Sequence, residues 1–361
     1  MKPRARLALA LVVGIALTLG ACRAPWSSGP RPPSWSDARA WARIDRDLSE
    51  LGPKTGFVAA RVTPDGTCRA VHEVASSTPR PTASQFKLWV LGALANQIAA
   101  GRVSWDQTLT GQDAVKSLGN GPGSLQFAAP GTVVSVEEVA TKMISISDNT
   151  AADMLIGLVG RDDVEAQVRR WTANASANEP FLTTKEMFRL HYVPGLADRY
   201  LATPQDQRAA FLVSSVDPLP VAAMAAGFST DPRYVEQIEW FASPNDICRA
   251  FAGLQLLSRR PSLSPLATIL ALQPGGNGPD PSVWPTVWYK GGSEPGVLTL
   301  GWLATNRRGQ TFVVEAMVTN PDAVLSATSI TDLVAVAKEA FGLLDSPPRS
   351  RWPVKGLGES H

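Results

Sequence analysis

The chain has 361 residues, 44% of them hydrophobic, which is enough for one large domain or two smaller ones around a sizeable core. The formal charge is +2, but three of the 34 basic residues, Lys2, Arg4 and Arg6, lie in an N-terminal stretch without acids; the other 31 face 32 acidic residues. That near-neutral balance, with no basic stripe, excludes nucleic acid as a partner.

In chain order, the first element is a leader. Behind Lys2, Arg4 and Arg6 comes an apolar run from Leu7 to Leu19, too short to span a bilayer as a stable helix. It ends in Leu19-Gly20-Ala21-Cys22. Small residues before a cysteine resemble a bacterial lipobox, where the thiol receives a diacylglyceryl group and the leader is cleaved. The alternative is an ordinary signal peptide with an incidental cysteine. On the lipobox reading, residues 1–21 are a lipoprotein signal peptide. Lipidated Cys22 then holds the chain on the outer face of the cytoplasmic membrane, in the cell envelope, with more than one fatty acyl chain of the palmitate type for stable anchoring. Residues 22–36, rich in Pro and Ser, read as a tether.

Residues 37–51 have the pattern of an amphipathic helix. "GFVAARV" and "TCRAVHEV" flank Pro64-Asp65-Gly66 and predict a hairpin. From Ser84 to about 257 apolar residues recur at helical spacing. Within this block Ser243, Pro244 and Asp246 mark a helix start as N-cap, first position and first-turn acid. Strands return in "TVWYKGG", "GVLTLGWLAT" and "TFVVEAMVT", with Asn306–Gly309 as the last hairpin turn, and a helix over 328–344 closes the fold. Residues 346–361 read as a disordered tail. The order predicts an α+β fold: an antiparallel sheet from residues 37–83 and 258–345, flanked by helices, with an all-helical subdomain, 84–257, inserted. Cys68 and Cys248 remain after lipidation; export permits a disulfide between them, and two buried thiols are the alternative.

Three short motifs carry chemistry. Ser84-x-x-Lys87 puts both side chains on one helix face, with Ser84 in the first turn, where free N–H groups favour negative charge. A lysine held there with its pKa lowered acts as a base; a cap serine with a snorkelling lysine is the bland reading. Ser147-Asp148-Asn149 interrupts two apolar helices, as a cleft-facing break or as a plain turn with an N-cap at Asn149. Lys290-Gly291-Gly292-Ser293 ends a strand whose glycines let another backbone approach, or is a flexible strand end.

S-x-x-K, S-D-N and K-x-G in this order, with S-D-N continued as Ser147-Asp148-Asn149-Thr150-Ala151-Ala152, resemble the serine β-lactamase and penicillin-binding protein superfamily, and most closely class A β-lactamase-like envelope lipoproteins. The resemblance spans residues 37–344 and implies a class A β-lactamase-like fold and a cofactor-free serine hydrolase. Ser84 is then the acylated nucleophile and Lys87 its base. Ser147 relays a proton to the leaving nitrogen, Asn149 holds the substrate amide, and Lys290 attracts the substrate carboxylate. The N–H groups of Ser84 and Ser293 form the oxyanion hole.

The chain departs from that pattern in three places. Gly291 stands where a Thr or Ser is usual. Glu179-Pro180-Phe181-Leu182-Thr183 resembles the deacylating loop, yet Thr183-Thr184-x-x-Met187 also matches the helix start that follows it; the second alignment is favoured and leaves Glu179 out of catalysis. The segment from His191 to Thr230 reads as added helical material over the cleft. Acylation followed by slow deacylation is therefore expected. A non-catalytic envelope protein binding cell-wall peptides or a protein partner is the alternative. A Ser-His-Asp hydrolase is disfavoured, with only His72, His191 and His361 and no G-x-S-x-G. No His/Cys/Asp cluster marks a metal site. Trp89, Trp288 and Trp302 read as core rather than sugar platforms.

Overall fold

The computed structural model describes residues 37–111, 116–117, 123–272 and 278–346. The expected leader, Cys22, the tether and all of the tail beyond Ser346 lie outside the described residues.

Helix α1 (Ala38–Ser49), capped by the Asp37 carboxylate on Arg39 N and Ala40 N, leads into β1 (Lys54–Val62) and β2 (Cys68–Val74). The turn between them uses Gly66 at φ +83°, a left-handed conformation open to glycine. A short β3 (Arg80–Pro81) precedes the long helix α2 (Lys87–Ala99). The helical block then runs through β4 (Thr108–Thr110), β5 (Val133–Ser135), α3 (Val136–Ser145), α4 (Asn149–Val159), α5 (Arg161–Trp171), α6 (Thr184–Tyr192), α7 (Leu196–Ala202), α8 (Arg208–Phe211), β6 (Phe241–Ala242), α9 (Pro244–Ser258) and α10 (Pro265–Ala271). Strands β7 (Thr286–Glu294), β8 (Val297–Thr305) and β9 (Thr311–Thr319) and helix α11 (Ser329–Asp345) complete it.

The five-stranded sheet has the order β2-β1-β9-β8-β7, antiparallel throughout. Both ends of the chain build it, since Val58 of β1 sits opposite Glu315 of β9. Alternation along the strands sorts two cores. Phe57, Ala59, Leu300, Trp302, Phe312 and Val314 pack under α1 and α11. Val58, Ala60, Val313 and Met317 pack on the other side with α2 and α9. The central strands are covered on both faces, so "TFVVEAMVT" reads as an almost unbroken apolar run.

The expected division at residues 84 and 258 is less sharp than the sequence implies. Helix α9 starts with the Ser243–Asp246 capping box and Pro244 at its first turn, as anticipated, but it packs on β1 and β9. Helix α10 lies beyond residue 258 and packs on α3 and β7. One continuous core runs from the sheet into the helical block, so its helices share apolar surface with the sheet. The Cys68–Cys248 disulfide forms and ties β2 to α9. Trp89, Trp288 and Trp302 are core residues.

Candidate active site

Helix α2 runs through the middle of the molecule, with every residue from Lys87 to Ala95 buried. A helix without a solvated face has no place for an ordinary surface lysine. Lys87 nevertheless begins it, fully buried.

Ser84 lies just ahead of α2, in a tight 3₁₀ turn, Ala83–Phe86, rather than in the first α-helical turn. Ala83 has φ +44°, a strained value for a residue with a Cβ, and the turn needs outside support. Thr82 N donates to Trp240 O at 2.8 Å, and Gln85 Nε2 donates to Lys290 O (3.1 Å) and Glu315 Oε2 (2.8 Å). The nucleophile turn is thereby pinned to β7 and β9. Glu315 sits on the site face of the sheet, and burial raises its pKa well above the usual carboxyl range.

The S-D-N tripeptide breaks the chain between α3 and α4. Ser147 adopts φ +57°, and its Oγ lies 3.1 Å from both Lys87 Nζ and Lys290 Nζ. Asp148, rather than Asn149, is the cap of α4: its Oδ1 accepts from Ala151 N at 3.0 Å, and its Oδ2 from Ser124 N (2.6 Å) and Leu125 N (2.8 Å). Asn149 is freed from capping and is the first residue of α4.

These segments meet at Lys87 Nζ. It lies 2.7 Å from Ser147 O, 2.6 Å from Asn149 Oδ1, and 3.1 Å from each of Ser84 Oγ and Ser147 Oγ. The carbonyl and amide oxygens can only accept, so they take two N–H bonds. In a neutral amine the remaining lone pair then faces the hydroxyls. Desolvation, with the nearby Lys290 charge, holds Lys87 well below the ordinary lysine range, which favours that neutral form.

Lys290 is also buried; its Nζ donates to Gly291 O at 2.5 Å and lies 3.1 Å from Ser147 Oγ. Burial lowers it to about 7. Ser147 Oγ thus stands between two amines, placed to pass a proton. β7 is an edge strand, and Gly292 is where it closes on the nucleophile turn: a Cβ there would sit 2.4 Å from Thr82 O and 2.6 Å from Ser84 N. Gly291 has its own reason. A Cβ would lie 2.1 Å from Tyr289 Oη, so the tyrosine occupies the space that a larger residue would need. Ser84, Asn149 and Ser293 line one cavity of about 570 Å³.

Glu179 is not among the residues lining that cavity; its carboxylate pairs with Arg169, and the side chain is about one-third exposed. Thr183 does cap a helix, α6, with a capping box to Glu186. The segment after α6 contributes Val221, Met224 and Phe228 to one cavity wall. His191 is a buried structural residue with Nε2 2.7 Å from Ile238 O, and His72 contacts Asp45. Among the described residues no group of three or more His, Cys, Asp or Glu could hold a metal ion. Sequence reasoning missed Gln85, Glu239 and Glu294. Gln85 was detectable only as the neighbour of Ser84, and the two glutamates carried no local signal.

Comparison with known proteins bears on the fold. A model of the Beta-lactamase enzyme family matches residues 40–215. Among solved structures, a point variant of PBP-A in acyl-enzyme complex with penicillin G superposes with TM-score 0.59 at 18% identity, covering 86% of this chain and 98% of that one. The fold is that of the serine β-lactamase and penicillin-binding protein superfamily. A class A β-lactamase reconstructed for the last common ancestor of Gram-negative bacteria gives TM-score 0.59 at 16% identity, covering 84% and 98% of the two chains. A β-lactamase from Sphaerobacter thermophilus gives 0.55 at 18%, covering 84% and 94%. No curated protein sequence matches the chain. The class A β-lactamase-like architecture expected from the motif order is the one observed.

Proposed function

We propose that this chain is a lipid-anchored serine hydrolase of the cell envelope, acylated on Ser84 by a β-lactam or a peptidoglycan-like amide or ester, and slow to deacylate. The observation that carries the reading is the arrangement around Lys87. Its amine has two obligate acceptors and faces the Ser84 hydroxyl with its lone pair, so it takes the Ser84 proton as Oγ attacks the acyl carbonyl. The oxyanion forms against the N–H groups of Ser84 and Ser293, which Gly292 allows to approach. Ser147 Oγ, between Lys87 and Lys290, passes the proton on to the leaving nitrogen. Lys290 draws the substrate carboxylate in its protonated form, and Asn149 orients the amide.

The placement of Glu179, paired with Arg169 and not lining the cavity, supports slow deacylation. Lack of a general base for water costs about 10²–10⁴ in rate. Lipid anchoring rests on the Leu19–Cys22 stretch, and detergent partitioning with Cys22→Ala as control tests it.

The deciding experiment follows the intact mass of the soluble domain with benzylpenicillin over time. A lasting adduct on Ser84 is expected. No adduct, with the drug unconsumed, favours instead a non-catalytic protein that binds cell-wall peptides; the loss of a hydroxyl at Gly291 is the observation on that side.

A further inference from the structure

The cavity beside Ser84 has features that acyl transfer does not use. Glu239 and Glu294 come together on its wall. Glu239 is 3% exposed; its Oε2 accepts from Trp240 N at 2.6 Å, and its carboxyl also accepts from Ala83 N. Burial raises both carboxyls, and each bears on the other, so near neutral pH the pair holds at least one proton and any charge it carries is negative. Glu239 Oε1 and Glu294 Oε1 are both buried with no N–H or O–H donor from the rest of the chain. Neither carboxyl has a cationic partner among the described residues. Negative charge on this pair is disfavoured in a mostly apolar cavity unless a cationic ligand completes it.

The same cavity carries an aromatic cluster. The rings of Phe188 and Tyr192 stack at 6.2 Å, and Tyr192 lies 5.1 Å from Phe228, which is 63% exposed. All three line the cavity with the two carboxyls, and burial first and then proximity to Glu294 raise the Tyr192 phenol. An unpaired anion beside ring faces suits an organic cation: the carboxyls supply charge-assisted hydrogen bonds, and the rings supply cation–π contact.

We propose that Glu239, Glu294 and this aromatic cluster form a receptor for a protonated primary amine on the acyl portion of the substrate. The substrate class is then an amine-bearing acyl amide or ester, which rests on the reading of Ser84 as the acylated nucleophile.

The test uses two derivatives of benzylpenicillin that differ in charge and not in shape, one with a para-aminomethyl and one with a para-ethyl group. Binding to the Ser84→Ala protein is measured by calorimetry, so that no acyl transfer is needed. The aminomethyl compound is expected to bind about ten-fold tighter than the ethyl compound. In Glu294→Gln and Glu239→Gln, each on the Ser84→Ala background, the ratio is expected to fall toward one. A ratio near one in the parent, no binding of either compound, or a ratio unchanged in both variants overturns the proposal.

If the Gln variants do not fold, pH supplies the second readout on the parent. Burial raises both carboxyls, Glu294 to about 7, so the pair is fully protonated in acid and gains charge as pH rises. The preference for the ammonium should therefore grow from about pH 5.5 to about pH 8, below the titration of an alkylammonium. Lys290, at about 7, and Lys87 lose positive charge as pH rises, which also favours the ammonium beside the exposed Arg233 near Tyr192; the rise must therefore persist with Lys290→Gln and with Lys87→Gln on the Ser84→Ala background, and a rise that vanishes there overturns the amine site. A flat ratio overturns the amine site. Failure of Ser84 acylation in the mass experiment, with the ratio intact, overturns the hydrolase reading and leaves the amine site standing.

Discussion

The two sides of the cleft are built on opposite plans. The polar floor joins Lys87, Ser147, Asn149 and Lys290, from segments some 60 and 200 residues apart in the chain, through contacts of 2.6–3.1 Å. Lys87 and Lys290 each donate to a backbone carbonyl there, and little can move without leaving a buried group unpaired. The apolar wall comes from one stretch, from α6 to Trp240, and meets the cavity through Met187, Phe188, Tyr192, Met224 and Phe228. Apart from Glu239, it offers area rather than fixed partners. A floor of this kind determines which bond is made and broken; a wall of this kind determines which acyl group is admitted.

Perturbing the floor should cost most. Lys87→Ala removes the base and should lower the rate of Ser84 labelling by benzylpenicillin by about 10²–10⁴-fold, with the circular dichroism spectrum retained. Unchanged labelling would remove Lys87 from the reaction. Gly292→Ala should come next, because the added methyl meets backbone atoms of Thr82 and Ser84 that have no rotamer to yield. We expect a loss of about 1–3 kcal/mol in stability, read by urea unfolding, together with a drop in labelling larger than the unfolded fraction explains.

The disulfide lies away from both surfaces and should affect stability alone. Cys248→Ala opens a loop of 180 residues and should cost about 2–5 kcal/mol, seen as a lower unfolding midpoint, while labelling of the folded protein is unaffected. The smallest effect is expected for Glu179→Gln. It breaks an ion pair whose partners are one-third to one-half exposed, worth at most about 1 kcal/mol, and the lifetime of the Ser84 adduct should not change. A longer-lived adduct in that variant would place Glu179 in deacylation after all.

Much of this was legible in the chain. The Pro64–Gly66 and Asn306–Gly309 turns, the Ser243 cap and the short β-rich runs of β1, β8 and β9 are local signals, each set by the conformations and burial that a few neighbouring residues permit. Ser84 and Lys87 were readable as a pair because three residues of tight turn bring them together. The exact start of α2 was not, since a 3₁₀ turn and an α-helical turn place residues i and i+3 similarly. Asp148 as the cap in place of Asn149 was also missed. Both residue types cap well, and the contacts with Ser124 and Leu125 that decide between them are distant in sequence.

The sequence by itself determined the strand and helix order, the pairing of the two chain ends in one sheet, and the identity of the groups on the polar floor. These follow from periodicity, turn chemistry and short spacings. Only the tertiary structure decided the state of those groups and the character of the cleft. Lys87 is a base candidate because a fully buried helix withdraws it from water beside Lys290. At Gly291 the Tyr289 hydroxyl fills the space that a Cβ would take. Glu239 and Glu294, 55 residues apart and featureless in sequence, meet on one cavity wall only in the folded chain. Desolvation and proximity depend on distances in space, and a linear pattern does not carry them.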